Sequence, residues 1–281
     1  MRGKTVATIF LNETDQIYYE MIEGNPDYPT LVFLHEGLGC HAMWKGFPEQ
    51  LCRKTGCPGL VYDRLGHGKS SPLTSTRTIH YVHESALKEL LRVIELCIPG
   101  RSFLLVGHSD GGSISLIFGA EKPAFLKGII TEAAHVFVET ITVEGVCRVD
   151  ETYKKGELEG LKKYHGEKTD TLFRAWADTW LSDWFQSWNI EYLLPSITCP
   201  MLVMQGREDQ YGTERQVASI VSGTSGRATS ALLDNCGHSP HLETPETVLA
   251  IMSISYEYSG TTKVRHGYST SLMGHCSLSR A

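Results

Sequence analysis

A serine flanked by glycines lies where an apolar strand pattern changes into a helical one. The apolar run 103–106 is followed by 107–111, which reads Gly-His-Ser-Asp-Gly, and then by the largely apolar residues 114–118. Such a turn holds its serine in a strained conformation, with glycines where side chains would collide with a neighbouring strand or helix. The pattern predicts Ser109 as a nucleophile at the carboxyl end of a sheet, where open α/β folds bind ligands. A plain glycine-rich turn is the alternative, since the bare motif also occurs by chance.

His238 is the predicted general base. A serine hydroxyl needs a base to become a good nucleophile near neutral pH, and histidine is suited to this task. Of the 12 histidines, His238 follows the apolar stretch 231–233 and precedes a predicted helix near Pro245, which places it in a loop at the same edge as Ser109. His241 is a less favoured candidate, interpreted as a residue behind the site or on the surface.

Asp209 is the residue predicted to orient His238. It comes three residues after Gly206, directly beyond the apolar run 201–204. A carboxylate there can accept the second imidazole proton and fix the tautomer. Glu208 is adjacent and stays an alternative, and a solvated turn is the other interpretation of both carboxylates.

The helix after Ser109 adds a further chemical feature. Its first backbone N–H, that of Asp110, and the positive end of the helix dipole point toward the reaction centre. We therefore expect the Asp110 N–H to stabilise a developing oxyanion.

The elements that must position these residues alternate between strands and helices. Short apolar runs at 31–34, 59–62, 103–106, 128–130 and 201–204 suit strands covered on both faces. Helical periods lie between them; one example is 85–97, where Leu87, Leu90, Leu91 and Ile94 form one predicted stripe. The pattern predicts a mainly parallel sheet flanked by helices, preceded by a hairpin of 5–10 and 16–21.

Residues 136–194 interrupt this alternation and predict a helical insertion, or cap, above the sheet. The core is expected to consist of residues 1–135 and 195–257. Trp176, Trp180, Trp184 and Trp188 recur every four residues, which predicts an aromatic stripe on one helix. Trp176 and Trp180 are candidates for a substrate pocket, and docking of the insertion is the alternative role. The polar segment 258–281 is expected to be a disordered tail.

The motifs together resemble the α/β-hydrolase superfamily over about residues 5–254. They are His35–Gly39 (His-Glu-Gly-Leu-Gly), 62–70 (Tyr-Asp-Arg-Leu-Gly-His-Gly-Lys-Ser), the Ser109 turn, 206–209 (Gly-Arg-Glu-Asp) and Gly237-His238. The order Ser, Asp, His along the chain is the order of this fold. The resemblance implies an α/β-hydrolase fold, and it implies that the 63–70 loop shapes the backbone without a catalytic role.

The resemblance implies that the loop at 35–39 contributes to the oxyanion hole. In the family this loop usually reads His-Gly-x, and the N–H of the x residue completes the hole; that position is Gly37, with Leu38 next to it. Glu36 replaces the usual glycine. It either stabilises the loop, the favoured interpretation, or faces the pocket as a substrate-binding residue that repels anions.

The composition of the chain limits the partners and cofactors that we expect. The chain has 281 residues and a formal net charge of −6, without the basic runs that follow phosphates, so nucleic acid is not an expected partner. The sequence shows neither a membrane-spanning apolar stretch nor a signal peptide, and we expect a cytoplasmic monomer or homodimer. The eight cysteines show no paired spacing, so neither a disulfide framework nor a metal site is expected, and no cofactor.

These features predict a serine hydrolase that forms an acyl-enzyme. The preferred substrate is a small carboxylic ester or lactone. A hydrolase of carbon–carbon bonds in ring-fission products is the next candidate, because it uses the same triad and a similar cap. A serine nucleophile argues against haloalkane dehalogenases and epoxide hydrolases, which need a carboxylate there. A ligand-binding, receptor-like member with little turnover is the alternative from another class.

Overall fold

The computed structural model describes residues 3–258. Its central sheet has eight strands in the order β1-β2-β4-β3-β5-β6-β7-β8. The first pairings, β1 with β2 and β2 with β4, are antiparallel, and all later pairings are parallel. The strands are β1 Lys4–Phe10, β2 Gln16–Ile22, β3 Thr30–Leu34, β4 Gly59–Tyr62, β5 Phe103–His108, β6 Leu126–Glu132, β7 Met201–Gly206 and β8 Ala228–Leu233.

The parallel strands are covered on both faces, as their continuous apolar sequences predicted. In β3, Leu31 and Phe33 point into one buried cluster and Val32 and Leu34 into the other, because successive side chains of a strand face opposite sides. The α/β-hydrolase architecture expected from the sequence is therefore confirmed. The N-terminal hairpin is also confirmed, with Phe10 opposite Gln16.

Helices form the layers on the two faces. The α-helices are α1 Phe47–Thr55, α2 Tyr81–Glu84, α3 Leu91–Cys97, α4 Asp110–Ala120, α5 Thr140–Lys154, α6 Lys162–His165, α7 Thr169–Leu181, α8 Glu214–Gly223, α9 Pro240–Glu243 and α10 Pro245–Tyr258. Short 3₁₀ segments are His41–Trp44, Glu159–Leu161, Gly166–Lys168 and Glu191–Ser196. Within residues 3–258, no helix combines the length and the apolarity that crossing a bilayer requires.

The stripe predicted for 85–97 is wrong in part. A π-helical segment, Ser85–Leu90, joins α2 to α3, and its wider turn rotates the buried face relative to an α-helix. Leu90 and Ile94 are buried as expected, but Leu87 and Leu91 are 36% and 40% exposed.

The chain between β6 and β7 is helical and contains α5, α6 and α7. Phe137 and Asn189 form an isolated antiparallel bridge near the two ends of the predicted insertion. Beyond Tyr258, the predicted tail lies outside the described residues.

Candidate active site

Ser109 lies in a sharp turn between β5 and α4. Its backbone has φ +52° and ψ −116°, a conformation that costs energy for a residue with a side chain. A Cβ at Gly107 would lie 2.2 Å from the Gly111 carbonyl oxygen, and a Cβ at Gly111 would lie 2.1 Å from that of Leu34. Glycine at both positions therefore lets the turn close against its own helix and against β3.

The structure brings Ser109, His238 and Asp209 together. His238 Nε2 lies 2.9 Å from Ser109 Oγ, and His238 Nδ1 lies 2.8 and 3.0 Å from the two carboxylate oxygens of Asp209. The three residues follow β5, β8 and β7, whose carboxyl ends share one edge of the sheet. The arrangement can move a proton from the serine hydroxyl to an imidazole whose tautomer the carboxylate fixes.

Asp209 is held in its ionised form. Burial opposes ionisation, but the His238 imidazole and the Tyr211 N–H, which donates to Oδ1 at 2.8 Å, keep the pKa of Asp209 below its ordinary value. Glu208, the alternative from sequence, is exposed. The geometry therefore selects Asp209 from the two neighbours.

The loop after β3 presents Gly37 beside the helix that begins at Asp110. Neither the Gly37 N–H nor the Asp110 N–H donates to a backbone carbonyl within the described part of the chain. The Leu38 N–H donates to the Glu36 carboxylate at 2.5 Å. This bond corrects the expectation for Leu38 as an oxyanion donor, because its single amide proton is already used.

A cavity of about 360 Å³ opens beside Ser109 and His238. Glu36, Gly37, Asp110 and Tyr211 also line it. Its apolar wall comes largely from the loop after β3 and from the helical segment between β6 and β7, the predicted insertion: Leu38, Met43, Val146, Val149, Leu158, Leu161, Trp176 and Trp180.

The predicted four-tryptophan stripe is wrong beyond Trp180. Helix α7 ends at Leu181, and Ser182 is extended with ψ 142°. Trp184 is therefore outside the helix and 46% exposed, and Trp188 packs against Trp180 with ring centroids 6.0 Å apart. Only Trp176 and Trp180 of the four line the cavity.

The family of the chain is shown by its sequence over most of its length. Residues 31–251 match the sequence profile of the Alpha/beta hydrolase family. The chain belongs to this family.

The proteins to which this chain is similar are named for different activities. The chain is 29% identical over 157 residues to a 2-succinyl-6-hydroxy-2,4-cyclohexadiene-1-carboxylate synthase of Enterobacter sp. (strain 638), with 54% of each chain covered. The match thus spans only about half the length of that synthase. Monoglyceride lipase of Rattus norvegicus is 22% identical over 244 residues, with 79% of each chain covered. The structure of 2-hydroxy-6-oxo-6-phenylhexa-2,4-dienoate hydrolase from Rhodococcus sp. strain RHA1 shares the fold, with a TM-score of 0.69, 15% identity and coverage of 92% of this chain and 100% of that one.

Two residues around His238 were missed by sequence reasoning. Glu243 accepts the Gly237 N–H at 2.7 Å and the Ser239 N–H at 2.9 Å. His108 lies with Nε2 2.7 Å from the His238 carbonyl oxygen. The sequence signal for Glu243 is its position five residues after the histidine, at the end of α9, and His108 is signalled only by its place in the nucleophile turn.

His241 lies beneath the site rather than on the surface. It is 4% exposed, and its Nδ1 lies 2.7 Å from Oε2 of Glu132, at the end of β6. The Glu132 carbonyl accepts the Ser109 N–H at 2.8 Å. This buried pair therefore supports the turn from below, which agrees with the interpretation of His241 as a residue behind the site.

The predicted insertion is hydrogen-bonded to the loops that shape the site. His165 Nδ1 accepts the Gly68 N–H at 2.9 Å, and its Nε2 donates to the Leu38 carbonyl at 2.8 Å. The Lys168 ammonium donates to the carbonyls of His67, Gly68 and Ser70. The insertion and the loop after β3 are thus joined through hydrogen bonds.

The Asp63 carboxylate stabilises the conformation of the 63–70 loop through hydrogen bonds. Its carboxylate accepts the backbone N–H of His41 at 2.6 Å and that of Lys69 at 2.8 Å, and it also contacts His41 Nδ1 at 2.9 Å. Cys40, His41 and Asp63 place potential metal-binding atoms within 4.8 Å of one another. These hydrogen bonds already use the carboxylate, so we assign Asp63 to shaping the backbone, as expected from sequence.

Proposed function

We propose that the protein is a serine hydrolase that cleaves a small carboxylic ester or lactone. The observation that carries the proposal is the continuous hydrogen-bonded series Asp209, His238 and Ser109 beside a cavity. Residues 136–194 act in this proposal as a cap over that cavity, and Trp176 and Trp180 as part of its wall.

The chemistry follows from the positions of the donors. Ser109 Oγ attacks the ester carbonyl carbon while His238 Nε2 takes the hydroxyl proton. The N–H groups of Gly37 and Asp110 receive the negative oxygen, and α4 adds its positive end. His238 returns the proton to the leaving alkoxide, and a water molecule then releases the acyl group by the same steps.

An apolar wall favours an ester with an apolar acyl group. Val146, Trp176 and Trp180 of this wall are buried, with exposed fractions of 1%, 8% and 5%, and the other apolar side chains of the wall are partly buried. Burial of an acyl chain against such a wall contributes about 0.8 kcal/mol for each methylene. A relative named monoglyceride lipase is consistent with ester chemistry.

A labelling experiment tests the proposal. The purified protein is treated with a fluorophosphonate probe and assayed on p-nitrophenyl butyrate, together with Ser109→Ala and the matched control Ser222→Ala on the exposed face of α8. We expect labelling and turnover in the wild type and in the control, and loss of both in Ser109→Ala. Tight ligand binding without labelling or turnover would favour a receptor-like protein instead.

A further inference from the structure

The cavity wall has an unbalanced set of charges. It contains the carboxylates of Glu36, Asp110 and Glu243, and none of its lining residues within the described part of the chain is a lysine or an arginine. A ligand that carries a negative charge therefore meets carboxylates but no lysine or arginine; within the described part of the chain, the basic side chains of the wall are the imidazoles of His108, His135 and His238.

Two of the three carboxylates have nearby partners. Asp110 Oδ2 accepts the Tyr81 hydroxyl at 3.2 Å and lies 3.7 Å from Arg64 Nη1, behind the cavity. Glu243, at the exposed rim, accepts one N–H on each oxygen. Their negative charge is thus directed toward the protein.

Glu36 differs from the other two. Its Oε2 accepts the Leu38 N–H, whereas its Oε1 accepts no hydrogen bond from residues 3–258. Arg64 Nη2 donates at 2.8 Å to the backbone carbonyl of Glu36, not to the carboxylate. Glu36 lines the cavity together with Gly37, Ser109 and His238, and its Oε1 lies beside Gly39 in the same loop, where a Cβ would be 2.6 Å from it.

The electrostatic consequence is a strong preference for uncharged or cationic ligands over anionic ones. Two negative charges repel far more strongly at a partly desolvated site than in water, and juxtaposed like charges suppress the wrong ligand. Burial and the nearby Asp110 raise the pKa of Glu36, while the Leu38 N–H, Arg64 and His238 oppose that rise. Above its raised pKa, the Glu36 carboxylate repels anionic ligands and attracts cationic ones.

We propose that Glu36 is a specificity-determining residue that makes the cavity reject acyl groups carrying a carboxylate and accept uncharged or cationic ones. The inference rests on the proposed function, because it assumes that acyl esters bind in this cavity. It argues against substrates such as ring-fission acids, whose carboxylate would have no lysine or arginine partner in the wall.

Three p-nitrophenyl esters of similar length test this inference. They are the valerate, which is neutral, the monoester of glutarate, which is anionic, and the 4-(trimethylammonio)butanoate, which is cationic. At about pH 8, well above the ordinary carboxyl range, we expect wild-type kcat/KM for the neutral ester to exceed that for the anionic ester at least about tenfold. Glu36→Gln retains an acceptor for the Leu38 N–H; relative to kcat/KM for the neutral ester in the same variant, it should raise kcat/KM for the anionic ester and lower it for the cationic one.

Opposite changes for the two charged esters distinguish charge selection from structural damage, which would lower all three rates together. Glu208→Gln is the matched control, since it removes one exposed carboxylate outside the cavity; the ester ratios should stay as in the wild type. Equal wild-type rates for all three esters, or unchanged ratios in Glu36→Gln, would overturn the inference.

Binding to a variant without the nucleophile separates this inference from the proposed function. The affinities of the three esters for Ser109→Ala and for Ser109→Ala/Glu36→Gln are measured by calorimetry. If the wild type hydrolyses none of the esters but Ser109→Ala binds them with the expected charge preference, the proposed function fails and the selection by Glu36 stands. Binding without a charge preference overturns the selection whatever the turnover.

Discussion

Glu243 accepts hydrogen bonds from the backbone on both sides of His238. One carboxylate oxygen accepts the N–H of Gly237, the residue before the histidine, and the other accepts that of Ser239, the residue after it. The loop is also bound through the His238 carbonyl to His108. The imidazole therefore projects toward Ser109 from a backbone that is fixed at three points.

This relationship predicts that Glu243 acts as a positioning residue. In Glu243→Gln the side chain keeps one acceptor oxygen but turns an NH₂ group toward the other N–H, so the loop should shift. We expect kcat to fall about tenfold to a hundredfold, the effect of a small misplacement of a catalytic group, with little change in KM. Steady-state kinetics on p-nitrophenyl butyrate provide the measurement. Glu246→Gln, an exposed carboxylate at the start of α10, is the control, and equal kcat in the two variants would argue against positioning.

Asp209 gives a second prediction, because it fixes the tautomer of His238. Asp209→Asn preserves size but presents the imidazole with a donor or a neutral acceptor. The expected loss of kcat is about 10⁴-fold, with the fold intact. Circular dichroism checks the fold and ester kinetics measure the activity of Asp209→Asn, with Glu208→Gln as the control. A comparable loss in the Glu208 variant would contradict the assignment.

Gly37 gives a third prediction through its contact with the insertion. A Cβ at this position would lie 2.5 Å from Trp176 Nε1, so an alanine must displace either the loop or the indole. We expect Gly37→Ala to lower kcat about a hundredfold, the lower end of the cost of losing an oxyanion donor. Gly160→Ala is the control, since a Cβ at that position would have no neighbour within 4 Å among the described residues. Trp176→Leu in the same chain as Gly37→Ala should restore part of the activity; no recovery would mean that the indole is not the obstacle.

Acid sensitivity is the fourth prediction. Burial is the main cause that lowers the pKa of six imidazoles below the ordinary 6.5: His35, His67, His83, His108, His135 and His165. They stay neutral in the folded protein, whereas the unfolded chain takes up their protons as the pH falls below about 6.5. Stability is therefore present above this pH and is lost below it, by up to about 1.4 kcal/mol per pH unit for each group.

Urea denaturation at several pH values measures this effect. The free energy of unfolding should fall steadily from about pH 6.5 to 5.5, and His67→Gln should reduce the slope by about a sixth if the six groups contribute equally. A free energy of unfolding that does not change over this interval would contradict the assignment of neutral buried imidazoles.

The sequence was sufficient for the elements with strong local patterns. Continuous apolar runs located the parallel strands because strands covered on both faces have few alternatives. The glycine-flanked Ser109 marked the turn at the end of β5, and the loops after β7 and β8 then supplied Asp209 and His238. The convergence of the three follows from the topology, since the ends of parallel strands share an edge.

The remaining features depend on tertiary contacts that no local pattern records. The π-helical segment shifted the buried face of 85–97, so Leu87 and Leu91 came to solvent. The end of α7 at Leu181 separated Trp184 from its expected stripe. The Leu38 N–H was lost as a donor because of a side chain only two residues away, whose direction depends on the folded loop.

The Lys168 ammonium has a consequence for how the protein can open. It lies against three backbone carbonyls of the 67–70 stretch, and His165 reaches the Leu38 carbonyl beside it. If the insertion moved away from the 67–70 stretch, water would have to hydrate these carbonyl oxygens and the Lys168 ammonium at the same time. The segment is also joined to the core on the opposite flank, where Thr142 Oγ1 donates to the Tyr211 carbonyl at 2.5 Å and Arg148 Nη2 to the Gln210 carbonyl at 3.4 Å, so opening at either flank breaks hydrogen bonds to backbone oxygens.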